Sequence, residues 1–185
     1  MKYKDLKLGG VLEFWFEELG SEDWFAGGEQ LDTQISKRFF DVHQAVAAGE
    51  YWKDRTSGEA YLAEVIVLDQ FSRNMFRGTA KAFAYDGQAL ILAQQAIIAG
   101  VDTKLNTSQR QFLYMPFMHS ESAVIHEEAA ILFASLSNEE ALQFEKIHKD
   151  IIDRFGRYPH RNQVLGREST PEEKVYLENN HEAFF

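Results

Sequence analysis

The chain contains no cysteine and only three prolines, Pro116, Pro159 and Pro171, among its 185 residues. Without thiols it can build no disulfide, thiolate zinc site, iron–sulfur cluster or cysteine nucleophile. That suits a reducing compartment, and the expected location is cytoplasmic. No run approaches the ~20 apolar residues of a membrane span. The opening MKYKDLKLGGVLEFWFEELG has its apolar residues interrupted by Glu13 and Glu17, so no secretory signal is expected there. Positive charge is also short: 19 Lys and Arg against 29 Asp and Glu leave a net charge of −10. Neither nucleic-acid phosphates nor anionic lipid is an expected partner for such a chain. Phosphate-binding and nucleophile signatures of the G-x-x-x-x-G-K, G-x-G-x-x-G and G-x-S-x-G kinds are missing too. HEEAA at 126–130 begins like a zinc-binding H-E-x-x-H, but Ala130 stands where the second His belongs.

What the chain has is apolar material, 45% hydrophobic and 14% aromatic, spaced with helical periodicity. Leu31, Ile35, Phe39, Val42 and Val46 form one stripe, and Leu62, Val65, Ile66, Phe71 and Phe76 another. Capping boxes of the S/T-x-x-E type stand at Thr56–Glu59, Ser137–Glu140 and Thr170–Glu173. These signals predict about eight helices, over roughly 8–19, 29–48, 57–74, 84–99, 107–117, 120–136, 138–155 and 171–180. No strand is expected. The fold class is all-α: one domain over 1–185, with short connections favouring antiparallel helical hairpins.

Three segments concentrate polar chemistry. In LDQFSRNMFRGTAKAFAYD, 68–86, Asp69 lies on an apolar face with Arg73 four residues on, so the two can pair; Asn74 and Arg77 follow. The alternative is a purely structural ion pair, with Arg77 capping the helix end. In FLYMPFMHSE, 112–121, Pro116 predicts a helix break with a restart near Ser120. His119 would serve there as acid or base, with Glu121 orienting it or binding a cation. The plainer reading gives His119 to backbone carbonyls and Glu121 to a helix dipole. In RFGRYPHRNQVLGREST, 154–170, Arg154, Arg157, Arg161 and Arg167 face a single Glu168, with His160 and Asn162 between them. Clustered guanidinium groups need an anion, either the protein's own or a ligand's. Glu145–His148 and Glu178–His181 both read Glu-x-x-His, as in di-iron bundles, but two further inward glutamates are needed. Both glutamates are therefore expected in solvent and His148 at the edge of a helix interface. No metal or cofactor is expected. Phe184 and Phe185 need somewhere to dock, on the domain or on a second copy.

The first two runs and IHKDIIDRFGRYPHRNQVLGRESTPEE, which contains the third, together with VLEFWFEE near the start, closely resemble the mostly bacterial family known as domain of unknown function 924, over about residue 8 onward. The resemblance implies an all-helical fold of the tetratricopeptide-like superfamily and implies no activity. Asp69, Gln70, Arg73, Asn74, Arg77, His119, Glu121, Arg154, His160, Arg161, Asn162 and Arg167 fit the family pattern. Ser72 stands where the family usually has Pro, and His126 where it usually has Gln.

Two classes of function fit these features. One is a small-molecule site, binding or metal-independent hydrolase- or transferase-like. There Asp69, Arg73, Asn74, Arg77, Arg154, His160, Arg161, Asn162 and Arg167 hold an anionic ligand, and His119 and Glu121 move protons. The other is a helical scaffold for a protein or peptide partner, in which the arginine loop is structural.

Overall fold

A computed structural model describes Tyr3 and residues 6–180; the expected docking of Phe184 and Phe185 and the motif ending at His181 lie outside the described residues. Every described element is helical. The elements are α1 (Gly9–Glu13) with a π-helical turn Phe14–Glu18, α2 (Ser21–Ala26), α3 (Glu29–Ala47), α4 (Gly58–Val65) with a π-helical turn Ile66–Phe71, α5 (Ser72–Met75), α6 (Asp86–Ile98), α7 (Thr107–Met118), α8 (Ala123–Ala134), α9 (Glu139–Phe155) and α10 (Pro171–Asn179). Short 3-10 turns fill several connections, among them Ala80–Phe83 and Pro159–Arg161. None of the described helices is long and apolar enough to cross a membrane.

α4, its π turn and α5 form one rod through the middle of the molecule. Leu62, Ala63, Val65, Ile66, Val67, Leu68 and Phe71 are all fully buried, so the rod is apolar all round, as a central helix must be. α1, α6 and α7 pack on α4, and α3 packs on the π turn and α5. Trp15, Phe14, Phe39, Phe71 and Phe112 join them in edge-on and tilted ring contacts, the centroids 4.9–6.0 Å apart. Close packing fixes the rod's start: a Cβ on Gly58 would stand 2.5 Å from the Val101 carbonyl oxygen, so only glycine fits. Two carboxylates lie inside this rod, Glu64 and Asp69, and burying either without a cation is costly. Glu64 receives Arg55 bidentately at 2.7 and 2.9 Å. Asp69 belongs to the site described below.

Two helix caps stand one residue further along than the capping boxes predict, and the helices expected from 84 and 120 start at Asp86 and Ala123. Ser57, not Thr56, caps α4, its hydroxyl accepting the Ala60 N–H at 3.3 Å; serine is the better cap of the two. Asn138, not Ser137, caps α9 and also donates to Gln111 Oε1 at 3.2 Å, while Ser137 sits at φ +52°. The box at Thr170–Glu173 forms as expected. Pro116 does not break its helix: α7 runs on to Met118. Proline there removes one bond, to the Phe112 carbonyl, two residues before the helix ends, and Met115, Pro116 and Phe117 are all buried in compensation. α9 ends at Gly156, whose φ of +69° is the left-handed exit that glycine supplies.

Candidate functional site

The π turn matters because it carries Asp69. Wider than an α turn, it is a geometry enriched at functional positions, and Asp69 within it is fully buried. Three groups converge on its carboxylate. Arg73 approaches at 3.0 Å, His119 Nδ1 stands 2.7 Å from Oδ1, and Gln70 donates to Oδ2 at 2.5 Å. Arg73 also donates to the Asp69 backbone oxygen at 2.8 Å. Burial alone would raise the Asp69 pKa; the Arg73 charge and then His119 outweigh it and hold the carboxyl well below its ordinary range. An ionised Asp69 fixes the tautomer of His119, with Nδ1–H donating. Nε2 is then the basic lone pair, and it makes no hydrogen bond among the described residues. The His119 side chain keeps 15% of its surface exposed. Burial and the Arg73 charge lower its pKa, so the ring is neutral near pH 7 and able to accept a proton.

Arg73 continues into a second pair. It binds Asp86 bidentately at 2.9 and 3.0 Å, and Arg161, 75 positions further along the chain, shares the same carboxylate at 3.1 Å. Asp86 is the first residue of α6, where the helix dipole favours an anion. The Arg161 guanidinium lies over the rings of Phe83 and Tyr158, 4.5 and 4.6 Å from their centroids. Its residue is only 6% exposed, and its Nε is buried without an acceptor among the described residues. Burial, then the neighbouring Arg73 charge, pulls its pKa down.

Tyr158, fully buried, is the hub behind these groups. Its hydroxyl donates to the Met118 carbonyl and lies 3.1 Å from His126 Nε2. The rings of His160, His148 and His126 stand 5.4, 5.7 and 6.4 Å from its own, and His148 is 6.4 Å from His119. Burial lowers His148 to about 3 and His160 to about 4, so both are neutral rings. The Tyr158 N–H donates to Glu121 Oε1 at 2.7 Å, and Arg167 grips Glu121 bidentately at 2.6 and 2.9 Å. Asn162 accepts from Arg167 and donates to Glu173, which also receives Arg157 at 2.7 and 2.9 Å.

The structure thus links His119, Asp69, Arg73, Asp86 and Arg161 in one chain of contacts, while Glu121 and His160 meet Tyr158 and Arg167 and Asn162 follow from Glu121. Others stay apart. Asn74 and Arg77 both turn to Asp32, at 2.8 and 2.7 Å, beside an open cleft of about 600 Å³ that also touches Gly27 and Lys37. Arg154 meets Glu172 on the surface. Glu121 faces Arg167; the carboxylate that orients His119 is Asp69.

Sequence reasoning did not single out Asp86, Phe83 or the Glu145–His126 pair. Glu145, expected in solvent, is fully buried, with Oε1 2.7 Å from His126 Nδ1. His126 Nε2 faces the Ser120 carbonyl at 3.0 Å and must donate there, so a proton on Glu145 or a second proton on the ring completes the contact. Burial raises the Glu145 pKa. Asp86 closes the 68–86 run and opens a helix, the one sequence signal that pointed at it. Among the described residues no three His, Asp or Glu side chains are grouped to hold a metal ion.

Comparison with known proteins agrees with the helical architecture. The model of a family described as bacterial protein of unknown function (DUF924) matches residues 11–181. A solved structure of a protein of unknown function from Agrobacterium tumefaciens superposes with a TM-score of 0.89, at 39% identity, covering 93% of this chain and 97% of that one. No curated protein matches the chain.

Proposed function

The chain belongs to the DUF924 family of bacterial proteins of unknown function, and we propose for it an acid–base site acting on a small anionic molecule. The observation that carries this reading is the Asp69–His119 contact at 2.7 Å: a buried ionised carboxylate fixes one ring nitrogen, and the other is left basic and partly exposed. The same dyad logic serves hydrolases and transferases that use no metal. His119 Nε2 takes a proton from water or a hydroxyl nucleophile and returns it to the leaving group. The Arg73–Asp86–Arg161 cluster beside it supplies positive charge for the ligand.

Hydrolysis of p-nitrophenyl acetate tests the dyad directly. Wild-type protein should hydrolyse it faster than equimolar free imidazole, and His119→Gln should lose about a hundredfold, the usual size of general acid–base assistance. His148→Gln should retain the rate. Equal rates for wild type and His119→Gln would remove His119 from the chemistry.

A second reading, a scaffold for a peptide, is supported by the open cleft of about 600 Å³ beside Asn74 and Arg77. Asp32 already engages both side chains, which weakens it.

A further inference from the structure

All four arginines of the 154–167 segment meet carboxylates of the protein: Arg154 with Glu172, Arg157 with Glu173, Arg161 with Asp86 and Arg167 with Glu121. Arg161 is the one whose pairing is incomplete in the interior. Only its Nη1 reaches Asp86, at 3.1 Å. The edge formed by Nε and Nη2 has no acceptor among the described residues, and Nε is buried. A buried donor without an acceptor needs a reason, and a guanidinium presents two parallel N–H groups along that edge, spaced for two oxygens of one anion. We infer that the Nε–Nη2 edge of Arg161 is the seat of a carboxylate group on the ligand. This deepens the acid–base reading by naming the ligand's class; the seat itself does not depend on His119 being the proton carrier.

A carboxylate fits better than a phosphate for two reasons. Arg161 lies over the faces of Phe83 and Tyr158, and aromatic faces are electronegative. A planar carboxylate in the guanidinium plane keeps both oxygens away from them, whereas a tetrahedral phosphate has oxygens out of that plane. Charge gives the second reason. Asp69, Asp86 and Glu121 already balance Arg73, Arg161 and Arg167. A carboxylate adds one negative charge; a phosphate near −1.5 to −2, its usual charge at about pH 7, adds more in a buried setting.

The Nε–Hε resonance of Arg161 in ¹⁵N-labelled full-length protein reads the seat directly, with sodium acetate as the probe and sodium chloride and sodium phosphate at matched ionic strength beside it. Acetate should move the Arg161 signal downfield and saturably, while chloride and phosphate leave it in place. Arg161→Lys, which keeps the charge but removes the edge, should lose the thermal stabilisation that acetate gives wild type. Arg154→Lys should retain it. His119→Gln should still show the acetate shift; if that variant also keeps p-nitrophenyl acetate hydrolysis, the acid–base reading fails and the carboxylate seat stands. A response to acetate no different from chloride, or phosphate saturating at lower concentration than acetate, overturns the inference.

Discussion

Asp69 is a buried carboxylate whose charge is met by Arg73, His119 and Gln70. Replacing it with Asn leaves Arg73 and His119 facing a neutral amide in the interior. Removing one member of such a pair costs about 3 kcal/mol or more. The Asp69 pKa is depressed in the folded state, so its contribution is complete above about pH 4 and is lost as pH falls further. Urea denaturation of Asp69→Asn should therefore show a large deficit at pH 7 that narrows on strong acidification. Because the Asp69 charge works to raise the His119 pKa, the same variant should also lower it, measurable by NMR titration of the ring. A deficit independent of pH, or an unmoved ring, would mean that Asp69 is packing rather than charge.

Among the elements, caps give the cleanest tests. Asn138→Ala removes a side chain that accepts the Ala141 N–H and should cost about 1 kcal/mol. Ser137→Gly should do the opposite, since a non-glycine residue at φ +52° bears a penalty of about 1 kcal/mol that glycine escapes. Thermal melts of the two variants should move in opposite directions; the reverse order would return the cap to Ser137. The helices themselves were legible because apolar residues recur at helical spacing over long stretches. The π turn was not: IVLDQF suits an α-helix equally well, and the turn packs against α3, α6 and α7, contacts that no local pattern announces. The site divides the same way. Asp69–Arg73 was legible because its partners are four residues apart on one helix. Asp69–His119, Glu121–Arg167 and Asp86–Arg161 join positions 50, 46 and 75 residues apart. No local pattern encodes such contacts. The assignment of Glu121 to His119 came from sequence proximity, which the fold does not respect.

For the molecule as a whole, acid should be destabilising well before the carboxylates titrate. Burial holds His43 to about 4, His148 to about 3 and His160 to about 4, against an unfolded value of about 6.5. Below pH 6.5 the unfolded chain takes up these protons and the folded one does not, so stability falls with pH, by up to about 1.4 kcal/mol per unit for each ring. Glu145, whose pKa is raised, acts in the opposite sense and offsets part of this. Melting temperature should drop by about ten degrees or more between pH 7 and pH 5, at about 2–4 °C per kcal/mol for this size. His160→Gln should flatten the slope. A constant melting temperature across that window would contradict the buried neutral rings.

The long span of the Asp86–Arg161 contact sets an order of assembly. A ribosome delivers the chain from its N-terminal end, so Asp69, Arg73, Asp86 and His119 all emerge while Tyr158, Arg161 and Arg167 are still unmade. Until those residues arrive, Asp86 holds Arg73 without its second guanidinium, and Glu121 has neither Arg167 nor the Tyr158 N–H. Chain order alone therefore decides which half of this polar network can form first.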